Sequence, residues 1–173
     1  MSRSIKGFGA ASCIFAAMAG TPVWPSTAAT TIQVSGTGTD LQNDAIVHSK
    51  KATPDGEIDE STEIVELRGQ LNGKVLYHVT TVIDRKKGTL VNTGDQVFSG
   101  TIAGSAPVML HDGAFHFEVN LSTGTDTGSV HLTDHIAGPR VRCELSVNGT
   151  GNDASGNPTF AYVGTCTFDE GIS

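Results

Sequence analysis

Apolar and polar residues alternate with a period of two along most of this chain, and clusters of Gly, Asn, Asp, Thr and Pro interrupt the alternation at short intervals. Alternation puts successive side chains on opposite faces of an extended strand, so such runs between turn formers read as antiparallel strands and hairpins. The pattern predicts strands over residues 31–35, 44–49, 62–69, 75–84, 89–92 and 96–103. Gly36-Thr37-Gly38 is expected to stop the first strand, and the acidic, Pro-Asp-Gly-containing stretch 50–61 to form a solvated loop. Turns are expected at Leu71-Asn72-Gly73, where Asn-Gly favours a tight hairpin, and at residues 85–88.

Two further hairpins follow. Residues 107–121 read as two arms about Asp112-Gly113, with Val108 facing Phe117 and Leu110 facing Phe115. Residues 122–128 then form a loop, and residues 129–135 alternate again with Val130 and Leu132 inward. After a break at Gly138-Pro139, residues 140–148 and 159–168 alternate on either side of the turn formers 149–158. Pairing those arms about a centre between Ala154 and Ser155 sets Cys143 opposite Cys166, Val147 opposite Tyr162 and Val141 opposite Phe168. All six residues then share one face, which predicts a cross-strand disulfide Cys143–Cys166 on the buried side. The sum is an all-β fold: a continuous antiparallel meander of about eight or nine strands, with a small barrel favoured over a two-sheet sandwich.

Composition sharpens this picture. Of 173 residues 21 are Gly, and no long run of strong helix formers is present, so helices are disfavoured. Residues 1–29 have the layout of a cleaved secretory signal: Arg3 and Lys6, an uncharged small and apolar run, then Pro22, Pro25 and the small residues Ala28 and Ala29. The apolar run is shorter than the roughly 20 residues that cross a bilayer, so no membrane span is expected. Residues 30–173 are read as a single β domain. Without Arg3 and Lys6, nine Lys and Arg face 18 Asp and Glu, a net charge near −9. That balance disfavours nucleic acid, whose phosphates call for clustered cations. The signal would also remove Cys13, leaving Cys143 and Cys166 as a pair, in keeping with a secreted or periplasmic protein.

Candidate chemistry is sparse. On the outward face of the 107–121 hairpin stand His111, His116 and Glu118, and antiparallel pairing with 129–135 would bring His131 beside them, a donor set suited to zinc or copper. Alternating residues Tyr77, Phe98, Phe117 and Tyr162, with Val75, Val79, Phe115 and Phe160, are expected inside the barrel, where they would line a site for a small apolar ligand or form plain core. Gly36-x-Gly38-x-Asp40 matches one fragment of a calcium-binding repeat, but a single copy builds no site and reads as turn chemistry. No Gly-x-Ser-x-Gly elbow and no free thiol pair with a base is found. The leading expectation is therefore a non-enzymatic binding or surface-interaction protein, taking a small apolar ligand or a protein partner. A small barrel isomerase or cyclase with an apolar interior, and a periplasmic metal-binding protein, are the alternatives.

Overall fold

The computed structural model describes residues 28–169, so the expected signal segment lies outside the described residues except for its last two positions. Ten strands follow in order: β1 Thr30–Asp40, β2 Ile46–Thr53, β3 Gly56–Gly69, β4 Leu71–Asp84, β5 Thr89–Ile102, β6 Val108–Asn120, β7 Thr125–Leu132, β8 Asp134–Ala137, β9 Val141–Asn152 and β10 Pro158–Phe168. A 3-10 turn, Gln42–Asp44, separates β1 from β2.

All pairings are antiparallel, and the sheet runs β1-β10-β9-β7-β6-β5-β4-β3 before β1 pairs with β3 and closes it. The result is the expected barrel, built of eight strands with two more outside the ring. β2 extends the line of β1 along β3, pairing with Gly56–Thr62 while β1 pairs with Val65–Gly69. β8 likewise continues beyond β7 along β6.

Inward positions follow the alternation. Leu71, Phe98, Ile102, Leu110, Phe115 and Phe168 are fully buried. The β9–β10 hairpin has the register expected from its sequence: Val141 opposite Phe168, Cys143 opposite Cys166 and Val147 opposite Tyr162. Cys143 and Cys166 are buried and joined by a disulfide.

Several turn signals mark something other than turns. Gly36 and Gly38 lie inside β1, where a Cβ would collide with the rings of Tyr162 and Phe160 respectively. These glycines let two aromatic side chains from β10 lie across β1. Asn72-Gly73 is within β4; a Cβ on Gly73 would meet Gly100 and the Ser99 carbonyl, so the glycine serves a close strand approach. The actual β3–β4 turn is at Gly69 and Gln70, with Gly69 at φ 110°. Its backbone is held by Tyr162, whose Oη accepts from Leu71 N at 2.8 Å and donates toward Leu71 O at 3.1 Å.

The stretch expected as an acidic loop, residues 50–61, is instead the β2–β3 hairpin, in which Lys50 pairs with Asp59 at 2.6 Å. Cross-strand ion pairs and hydrogen bonds such as Ser49 to Glu60 let charged residues alternate in an outer hairpin without an apolar face.

The largest correction concerns Asp112-Gly113. Residues 107–121 are not a hairpin; β6 passes straight through them. Gly113 and Ala114 together oppose Asp95, a β-bulge that keeps Leu110, Asp112, Phe115 and Phe117 all on the inner face. Asp112 is buried and pins the bulge: its carboxylate accepts from Ala114 N at 2.7 Å, His131 N at 2.7 Å and Gln96 Nε2 at 2.9 Å. A turn dipeptide and a bulge call for the same residues, which is why the sequence admits both readings.

Two outcomes follow. Reducing the disulfide is expected to cost about 3 kcal/mol of stability, from the loop that it closes, as read from urea unfolding with and without dithiothreitol. Asp112→Ala, which strands the half-buried amides of Ala114 and His131 and the buried Gln96 side chain, is expected to cost roughly 2–4 kcal/mol in the same assay; a loss below roughly 1 kcal/mol would contradict the pinning role.

Candidate functional site

An eight-stranded barrel has an interior just wide enough to be filled by side chains or to hold one small ligand. Here the interior retains a cavity of about 200 Å³. Its walls are mostly apolar, with Val65, Val75, Leu145, Val147, Phe117 and Phe160 among them. It is displaced toward the end of the barrel where β1 finishes and β10 begins, since Asp40, Leu90, Val119, Asp126 and Pro158 all border it.

Polar side chains enter this cavity at specific places. Asp40 ends β1, Glu63 is in β3 and Tyr77 is directly opposite Glu63 on β4. Tyr77 Oη lies 2.9 Å from Asp40 Oδ2 and 2.7 Å from Glu63 Oε2, and Ser61 Oγ donates to Glu63 Oε1 at 2.5 Å. A phenol has one proton and can satisfy only one carboxylate fully, so the second short contact is best met by a proton on a carboxyl. Burial, and next the negative charge of Glu63, push Asp40 from 3.8 up to about 7, against the opposing hydrogen bond from Tyr77. Desolvation, with Asp40 and Glu63 adding to it, holds the Tyr77 phenol above its ordinary range, so it remains a proton donor. Asp40 Oδ1 and Asn92 Oδ1 are both buried and have no hydrogen-bond partner among the described residues, and both residues line the cavity. Across the barrel, burial also raises Asp126, whose carboxylate lies over Gly149 where a Cβ would clash.

Of the residues expected inside the barrel, Tyr77, Phe117 and Tyr162 border the cavity, together with Val75 and Phe160. Phe98, Val79 and Phe115 are buried in the core instead; Phe115 meets Tyr77 edge to face at 5.8 Å.

The expected metal set is spread over the outer surface. His116 is opposite Ser129, Glu118 opposite Thr127, and His131 opposite Glu144 on β9. His111, on the other side of the bulge, is bracketed by Asp134 at 3.3 Å and Asp95 at 3.1 Å, whose hydrogen bonds raise its pKa. The grouping of His111, His116, Glu118 and His131 depended on His131 pairing beside Glu118, a place that Thr127 takes. Among the described residues no cluster of three or more His, Cys, Asp or Glu is placed to hold a metal ion. Among the same residues no helix is long and apolar enough to cross a membrane.

Comparison with protein-family models, with curated proteins and with solved structures returns no match for this chain.

Asp40 makes stability depend on pH. Between about pH 4 and 7 the folded chain holds a proton on Asp40 that the unfolded chain has released. The stabilisation is full below 3.8 and is lost as pH rises through about 7. Asp40→Asn, which keeps the shape and removes the charge, is expected to flatten this slope and to raise stability at pH 8 by roughly 2 kcal/mol. Urea unfolding of both proteins at pH 5 and pH 8 reads the difference; equal slopes would mean that Asp40 is not the group responsible.

Proposed function

We propose that this protein is a secreted or periplasmic binding protein that holds one small, mainly apolar molecule inside its barrel. The observation that carries the reading is the cavity: about 200 Å³ of space in a closed barrel, walled by aliphatic and aromatic side chains and bordered by a few convergent polar groups. Ligand sites in proteins have this composition, and dry cavities of similar size take up small aromatic molecules. The disulfide supports an oxidising compartment, where such crosslinks persist. A protein partner on the outer surface has less support, because the exposed large apolar residues, such as Ile46, Leu76, Ile136 and Val163, are distributed over separate strands.

One observation favours a second reading, a small isomerase or cyclase. A carboxyl that exchanges its proton near neutrality, joined through a phenol to a second carboxyl beside an apolar cavity, has the make-up of an acid–base centre. In that case Asp40 would protonate a bound substrate while the Glu63 carboxylate took a proton up, and the apolar walls would supply orientation.

Neutral 2-phenylethanol is a suitable probe of the interior. It is expected to bind with a dissociation constant on the order of 0.1–1 mM, measured by calorimetry. Val65→Phe, which fills the cavity from its wall, is expected to abolish binding while leaving the far-UV circular dichroism unchanged. Absence of binding to the parent protein, or undiminished binding to the folded variant, would remove the interior site.

A further inference from the structure

The cavity's polar groups share a bias. Asp40, Glu63 and Asp126 supply three carboxyls, and no Lys, Arg or His among the described residues lines the space. The two orphaned atoms, Asp40 Oδ1 and Asn92 Oδ1, are acceptors as well. A buried acceptor without a donor is costly, so an occupant that brings N–H or O–H groups relieves the site whereas one that brings further acceptors does not. Charge adds a stronger discrimination. An anionic headgroup would meet like charge in a poorly hydrated place, with no cation to compensate it. An ammonium group would meet carboxylates in charge-assisted hydrogen bonds, which are about twice as strong as neutral ones.

We propose that the molecule held in the barrel is a small apolar amine, bound as its ammonium ion with its N–H groups on Asp40 and Glu63 and its hydrocarbon body against Phe117, Phe160 and Leu145. The inference rests on the interior-binding reading above and adds the chemical class of the ligand. It excludes fatty acids and other carboxylates, which the apolar walls alone would admit.

Binding of the ammonium competes with the proton held on Asp40. The exchange balances as one cation for another: the ammonium ion enters, the Asp40 carboxyl becomes a carboxylate, and one proton leaves to solvent. Facing Asp40 are Glu63 from β3, Tyr77 from β4 and Gln42 from the 3-10 turn, while Asp126 from β7 borders the same cavity. No Lys or His among the described residues faces the displaced proton, and the entering ammonium holds Glu63 as its ionised partner, so the proton leaves to solvent. Below about pH 7 the proton must be displaced before the amine can bind. The affinity is then expected to fall about tenfold for each pH unit.

The test compares 2-phenylethylamine, 2-phenylethanol and phenylacetate, near-isosteric and differing in charge, by calorimetry on the parent protein at pH 8 and pH 6. The amine is expected to bind at least tenfold more tightly than the alcohol at pH 8, and phenylacetate not to bind. At pH 6 the amine is expected to lose about tenfold relative to pH 8, with uptake of a proton by the buffer, while the alcohol's affinity stays constant. Asp40→Asn is expected to cancel both the amine's advantage and its pH dependence. If the alcohol or phenylacetate binds as tightly as the amine, the ligand class is overturned while the interior site stands. Should none of the three bind, the interior site itself falls. An amine affinity that is independent of pH on the parent protein would overturn the role of Asp40 without recourse to the variant.

Discussion

Everything inside the barrel depends on how β1 closes it. A sheet becomes a barrel only when its two edges meet, and here β1 is the strand that pairs with β10 on one side and β3 on the other. Glycine at positions 36 and 38 makes that closure compatible with the large rings of Tyr162 and Phe160, which would otherwise occupy the same volume as a β1 side chain. Tyr162 then reaches beyond the strand to hold the β3–β4 turn. Gln70, in that turn, extends the pairing: its amide accepts from Ser35 N at 2.8 Å and donates to Gln33 O at 3.2 Å. Closure and cavity therefore meet at β1. The rings that lie over β1 border the cavity, and β1 delivers Asp40 to the rim of that space.

The polar residues along the inner face divide into two kinds. Gln96 and Asp112 satisfy each other and the backbone of the bulge, so their burial is structural. Asp40, Glu63 and Tyr77 satisfy one another incompletely, with one carboxylate oxygen left without a donor. A folded chain tolerates such incompleteness where another molecule completes it, because an apolar replacement would be more stable. The contrast between the two groups locates the site more sharply than the shape of the cavity does.

Much of the architecture was legible in the residue pattern. The β9–β10 register, with both cysteines and four apolar partners on one face, follows from alternation about a well-marked turn, and the barrel follows from many strands in a meander. What misled were Gly-containing pairs. Gly36-Thr37-Gly38, Asn72-Gly73 and Asp112-Gly113 all read locally as turns, yet each meets a tertiary demand: room for a ring, room for a neighbouring strand, or an extra residue in a bulge. Strand breaks placed there shortened the elements and shifted faces, and the supposed histidine cluster depended on a pairing of His131 beside Glu118 that Thr127 takes instead. The cavity's carboxyls were readable in principle. Glu63 has the same parity as Val65 and Leu67, Gln96 that of Phe98, and Asp40 that of Ile32 and Val34, which marks each as a polar residue on a core face. The parity of Asp40 was hidden only because the strand was ended five residues early.

The register of β1 against β10 has a practical corollary for handling the molecule. Thr30 pairs with Phe168, so the first and last strands leave the barrel side by side, a full strand length from Asp40 and Pro158. A crosslink or surface tether placed on β1 or β10 beside Thr30 or Phe168 would hold the barrel by its base, and immobilisation by that route would leave the rim free for solutes to enter.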